Sequence, residues 1–230
     1  VGKVDGLCSK RIVEYLRDYD LDMEDYPLSI ELKEIIENAF GFSASMKELG
    51  CIDLVYPKNK SNFLISEYLI QPRAEAEIAF ILKEDLHGPG ITKEDVIAAT
   101  EKIIPCFEIV DSRIDDWKIK IQDTIADNAS CGIFVLGEDA VSPNQFAMDE
   151  LEVEVFKNEE FLSSGKGSAV QGHPAEAVAW LANTLGEYDI PLLTGEFILS
   201  GSLVPLEPAQ AGDKFRMNLK GVGTCEINFI

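Results

Sequence analysis

The rhythm of apolar and polar positions changes along the chain. After Ser29, a candidate N-cap, Leu32, Ile35, Ile36, Ala39 and Phe40 recur at the i, i+3, i+4, i+7, i+8 spacing of one helix face, and Gly41 ends the run. Residues 10–50 as a whole read as helical and acidic. From residue 63 the texture turns to short β-type runs: AEIAFIL at 76–82, CFEIV at 106–110, GIFVLG at 132–137 and LEVEVF at 151–156, broken by Gly, Pro and Asn. Residues 196–200, 214–219 and 224–229 read as closing strands, the last two joined around Gly221-Val222-Gly223. Two helices interrupt this β-rich body. One opens at Thr92, with Asp95 at the capping-box position, and is expected to stop at Pro105; the other runs from Pro174 through Trp180 to Gly186, entered by His173. Helices without a repeating βαβ rhythm predict an α+β fold rather than a doubly wound sheet. The turn-like PKNKSN at 57–62 divides the chain into a helical N-terminal segment, 1–62, and a β-rich catalytic domain, 63–230.

Composition adds a constraint on partners. With 20 Lys and Arg against 41 Asp and Glu, the 230 residues carry a net charge of −21. Such a field repels phosphate backbones, which argues against nucleic acid and anionic membranes as main partners. No run approaches the roughly 18 apolar residues of a membrane helix. The first ten residues, VGKVDGLCSK, lack the apolar core of a secretion signal, so a cytoplasmic location is the expectation. The five cysteines show no CxxC and are expected as reduced thiols. An acidic protein can hold an acidic substrate only where the local sign is reversed, as by a divalent cation seated on clustered carboxylates.

One run offers such a cluster. In a strand over residues 75–82, Glu75 and Glu77 share one face while Ala76, Ile78, Phe80 and Leu82 share the other. The two carboxylates leave the backbone about 7 Å apart. Like charges this close raise each other's pKa unless a cation neutralises them. Glu108, inside the apolar run CFEIV, is costly to bury alone. Oxygen ligands of this kind suit Mg²⁺ or Mn²⁺. Taken by itself, E-x-E is common and is more often a solvated strand face than a metal site.

The surrounding residues narrow this choice. Gln71-Pro72-Arg73-Ala74-Glu75-Ala76-Glu77-Ile78-Ala79-Phe80 resembles the QP-[KR]-x-EAEIAF signature of the 2-keto-4-pentenoate hydratases, a family of the fumarylacetoacetate hydrolase-like superfamily. The likeness continues through residues 108–114, 116–117, 127–130, 163–168, 172–174, 179–182 and 198–206, and so spans residues 70–230. It implies a mixed β-sheet or β-roll core of the fumarylacetoacetate hydrolase C-terminal type with flanking helices. It also implies Glu75, Glu77 and Glu108 as ligands of Mg²⁺ or Mn²⁺, and a homo-oligomer, with a partner enzyme of the same pathway as a further associate. The implied reaction is hydration of 2-hydroxypenta-2,4-dienoate to 4-hydroxy-2-oxopentanoate in meta-cleavage catabolism of aromatic compounds.

For proton handling, the family's G-x-K run and its P-D-[FY]-G turn are resembled by residues 1–10 and by Asp25-Tyr26, which points to Lys3 and Asp25. Pro27 stands where the family has Gly, and residues 28–50 read as an insertion. Ser130 is implied in catalysis and substrate contact, Ser168 and Ser202 in substrate contact. Two other readings stay open: a 4-oxalocrotonate-type decarboxylase, which shares the glutamates and the metal, and a catalytically impaired assembly partner of such an enzyme.

Overall fold

The computed structural model describes residues 62–63, 69–120, 123 and 127–230. Among these residues, ten strands build two five-stranded sheets. In chain order they are β1 (Asn62–Phe63), β2 (Pro72–Leu82), β3 (Thr100–Asp111), β4 (Cys131–Leu136), β5 (Glu152–Lys157), β6 (Glu160–Lys166), β7 (Phe197–Leu199), β8 (Glu207–Pro208), β9 (Lys214–Leu219) and β10 (Gly223–Phe229). The first sheet has the order β1-β10-β9-β5-β6; the second has the order β4-β3-β2-β7, with β8 also on β2. The β1–β10 pair is parallel and the other pairs are antiparallel, so the first sheet is mixed.

Alternation explains why these strands form and where they face. On β2, Ala74, Ala76, Ile78, Phe80 and Leu82 enter the main core, while the odd positions turn to the other side of the sheet. The first sheet contributes Val153, Val155, Phe215, Met217, Leu219, Cys225, Ile227 and Phe229 to the same core. Phe215 is its hinge, edge-on to Phe107 of the opposite sheet at 6.2 Å and to Phe229 at 5.8 Å between ring centroids.

Among the described residues, two helices flank the sheets: α1 (Lys93–Ala99) and α2 (Pro174–Gly186). The capping box forms as the sequence predicts: Asp95 N–H donates to Thr92 Oγ1 at 3.2 Å, and Thr92 N–H to Asp95 Oδ2 at 2.9 Å. His173 caps α2 through Nδ1, which accepts from Ala175 N–H at 3.1 Å.

The end of α1 differs from the expectation. The helix stops at Ala99, not at Pro105, and residues from Thr100 onward join β3. Thr100 to Asp111 pairs along the whole of β2, and that ladder outweighs local helix preference. Pro105 is tolerated inside the strand because its polar edge faces away from β2. Its carbonyl accepts from Gly137 N–H at 2.8 Å, so its nitrogen faces the edge where pairing with β4 ends, at Leu136.

Of residues 197–206, Ile198, Leu203 and Val204 lie in the main core, while Phe197, Leu199 and Leu206 are half-buried. The helix expected after Ser29 and the division at residue 62 fall at or outside the limits of the described residues.

Phe215→Ala removes the ring that both sheets share, and a buried Phe→Ala change costs about 3–5 kcal/mol. Urea unfolding should show a loss of that size with an unchanged slope; a loss below about 1 kcal/mol would contradict this role.

Candidate metal centre

Strand register brings the three glutamates together. Glu75 of β2 lies directly opposite Glu108 of β3, and Glu77 lies opposite Cys106, so Glu108 and Glu77 are diagonal neighbours on one face. One carboxylate oxygen from each of Glu75, Glu77 and Glu108 lies within 4.8 Å of the others. Glu75 keeps only 9% of its exposure and Glu77 only 2%, which rules out a solvated strand face. Beyond Glu108 and Cys106, β4 continues the two rows with Phe134 and Leu136, and with Ala79 and Ile104 these form a small buried apolar cluster beside the carboxylates.

Burial governs the electrostatics. Loss of hydration, with Glu108 adding its charge, raises the Glu75 carboxyl to about 8. Burial likewise raises Glu108, to about 7, although a hydrogen bond from Glu77 opposes the rise. Glu77 is pushed well above the usual carboxylate range by burial and by both neighbours, and the Gly201 N–H only partly offsets this. Three such groups cannot all ionise without a counter-charge. The donor set, three carboxylate oxygens, fits a hard divalent cation.

The first turn of β2 is pinned by residues that the sequence reading left without a role. The Asp111 carboxylate, 3% exposed, accepts the backbone N–H of Gln71 at 2.7 Å and that of Ile70 at 2.9 and 3.0 Å. The Gln71 side-chain amide donates to the Ser112 carbonyl at 2.9 Å and also to that of Ile114. Trp117 Nε1–H donates to the Gln71 carbonyl at 2.8 Å, and the Arg73 guanidinium lies 4.4 Å from the Trp117 ring. The segments around residues 71 and 111 are thus one unit in space. An acid at the end of an apolar run, in EIVDSR, was the signal for Asp111.

The remaining candidates separate. Ser130 lies on the turn into β4, roughly 10 Å along the ladder from Glu108. Its Oγ donates to Asp127 Oδ2 at 2.9 Å, and both Ala129 and Ser130 have positive φ, 55° and 56°. Ser202 is half-buried on the segment that passes Glu77, its Oγ donating to the Val204 carbonyl at 2.7 Å. Ser168 is exposed on a single 3-10 turn, Gly167–Ala169, after β6. Lys3 and Asp25 lie outside the described residues. The chain has no helix, among the described residues, long and apolar enough to cross a membrane.

In the metal-free protein, raised carboxyl pKa values mean that the folded state holds more protons than the unfolded chain between the ordinary value of 4.5 and about 8. Raising pH through that window therefore removes stability. The isosteric Glu77→Gln should relieve one charge, so its metal-free melting temperature relative to wild type should rise from pH 5 to pH 8. An offset that is constant across the window would contradict this electrostatic account.

Comparison with known proteins gives three results. Residues 51–230 match the family model described as fumarylacetoacetate (FAA) hydrolase C-terminal. The whole chain is 52% identical to the 2-hydroxyhexa-2,4-dienoate hydratase of Comamonas testosteroni, of which it spans 78%, and 55% of it is 67% identical to 57% of the 2-hydroxypent-2,4-dienoate hydratase of Pseudomonas putida. Among solved structures, the 4-oxalocrotonate decarboxylase of Pseudomonas putida G7, complexed with magnesium and adipate, superposes with a TM-score of 0.74 at 29% identity, covering 96% of this chain and 97% of that one.

Proposed function

The chain belongs to the fumarylacetoacetate hydrolase C-terminal family, and from that premise we propose that it is a metal-dependent hydro-lyase adding water to 2-hydroxypenta-2,4-dienoate to give 4-hydroxy-2-oxopentanoate, a step of meta-cleavage aromatic catabolism. The observation that carries this reading is the trio of mutually close carboxylates on the face shared by β2 and β3, with Glu75 and Glu77 almost fully buried and Glu108 half-buried. Two relatives named as dienoate hydratases, at 52% and 67% identity, support hydration over other reactions of this scaffold.

Glu75, Glu77 and Glu108 would hold the cation, with Mg²⁺ or Mn²⁺ as the proposed ions. When bound, it supplies Lewis acidity to the 1-carboxylate and 2-oxygen of the substrate, and a positive charge in an otherwise negative field. The chain contributes the rest. β2 and β3 bring the three carboxylates together by register, so a cation needs the proton between Glu77 and Glu108 to leave rather than the strands to rearrange. Their burial keeps competing water from the carboxylates. The apolar side chains beside them, Phe134, Leu136, Ala79 and Ile104, are suited to hydrocarbon rather than to a second charged group.

Hydration also needs a proton moved along the carbon chain and water delivered at C4. Lys3 and Asp25 are the proposed proton-handling residues, on resemblance alone. Ser130 is proposed to orient substrate or water: with its hydrogen given to Asp127, its oxygen presents lone pairs that accept. Ser168 and Ser202 are proposed substrate contacts. Homo-oligomerisation belongs to the same proposal and likewise rests on family resemblance.

A second reading has a specific observation behind it, the superposition on a decarboxylase at 29% identity. The two make different products. With Mg²⁺ and 2-hydroxypenta-2,4-dienoate, the dienol absorbance should be lost without release of CO₂. Glu77→Gln should lower that turnover by about 100-fold or more, the several kcal/mol that a Lewis acid contributes. Faster release of CO₂ from 4-oxalocrotonate than hydration of the dienoate would overturn the assignment, and unchanged turnover in Glu77→Gln would remove the glutamates from it.

A further inference from the structure

We propose that the backbone N–H of Gly201 is a positioning group that holds one oxygen of Glu77, so that Glu77 offers the cation its other oxygen alone, and so biases the centre toward Mg²⁺ over Ca²⁺. The inference rests on the metal-site reading above. On the edge of β2 away from β3, no strand among the described residues fills the gap between β7, which pairs with residues 79–81, and β8, which pairs with Arg73 and Ala74. Residues 200–206 cross this gap as a strap. Ser200 N–H donates to the Ile78 carbonyl at 3.1 Å and Leu203 N–H to the Ala76 carbonyl at 2.9 Å, so the strap is anchored on either side of Glu77.

Between those anchors Gly201 takes φ +103°, and its N–H donates to Oε2 of Glu77 at 2.8 Å. Residues with a Cβ rarely adopt that backbone conformation, so the hydrogen bond depends on glycine at this position. The strap is backed from the other sheet by β6, which approaches so closely that a Cβ on Gly165 would stand 2.1 Å from the Leu203 carbonyl oxygen.

Coordination chemistry gives the consequence. A carboxylate that gives one oxygen to a backbone N–H offers its second oxygen as a single ligand, and gripping an ion with both would weaken the hydrogen bond. Single oxygens from three carboxylates suit a small octahedral ion that keeps other positions for water and substrate. Calcium is larger and readily takes both oxygens of a carboxylate. Loss of the Gly201 contact should therefore weaken Mg²⁺ more than Ca²⁺.

The test is calorimetric titration of the full chain with each metal alone, for wild type and Gly201→Ala, with far-UV circular dichroism as the check on folding. Mg²⁺ affinity should fall by about 10- to 100-fold, the range for losing an outer partner of a ligand, and Ca²⁺ affinity should fall less. Gly201→Asn, which tolerates positive φ better than Ala, should recover part of the Mg²⁺ preference. Equal losses for both ions, or none, would overturn the proposal. Should Gly201→Ala fail to fold, hydrogen exchange of ¹⁵N-glycine-labelled protein decides the matter: the Gly201 amide should be protected in wild type and exposed in Glu77→Ala, and an unprotected wild-type amide would overturn it. No substrate enters these measurements. Failure here leaves hydration to be judged by turnover, and failed turnover with intact metal preference would count against hydration alone.

Discussion

Three carboxylates crowded together, two of them almost out of reach of water and the third half-buried, are the constraint on which the rest of this molecule depends. Desolvation raises every one of them, and proximity raises Glu75 and Glu77 further. Without a cation the cluster is most stable when it holds protons. With one, the same burial becomes an advantage, because attraction between the ion and its ligands is not screened by solvent. The surrounding structure reads as the means of holding that arrangement. Cross-strand register fixes Glu75 against Glu108, Asp111 and Gln71 pin the first turn of β2, and the Gly201 amide meets Glu77 from the open edge.

That open edge matters because it is where a sheet ceases to be only a scaffold. A regular strand beside residues 75–78 would spend its N–H groups on the β2 backbone. The strap formed by residues 200–206 spends two of them that way and turns one onto a side chain. The residues that permit this are a glycine at positive φ and Pro205, which cannot donate to a ladder. Close packing of β6 through Gly165 carries the position of the strap into the first sheet, so the metal centre is supported by both sheets and not by β2 and β3 alone.

The acidity of the protein and the anionic character of the proposed substrate are reconciled locally. A chain with a net charge of −21 repels a 2-oxo acid over most of its surface. A divalent ion on the three carboxylates, as proposed, would create one place where an anion with two adjacent oxygens could be held. The apolar side chains beside it disfavour a second charge. The scaffold shared at 29% identity with a decarboxylase complexed with magnesium is in keeping with this, since one fold can carry different chemistries.

The sequence by itself determined the alternation that puts Glu75 and Glu77 on one face, the capping box at Thr92 and Asp95, the entry of α2 at His173, and the strand-rich α+β character. Each rests on contacts within a few residues, where spacing dictates which side chains meet. What it did not contain was the register of β3 on β2, on which the meeting of Glu108 with Glu75 depends. Nor did local pattern reveal that α1 stops at Ala99: Pro105 is a helix breaker in isolation, yet it sits inside a strand because its missing donor faces the end of β4. The roles of Asp111 and Gly201 were also settled only in three dimensions, since their partners lie 40 and 124 residues away in the chain. Separations of that length leave no periodicity to read, and only the closing of the sheets brings those groups within hydrogen-bonding distance.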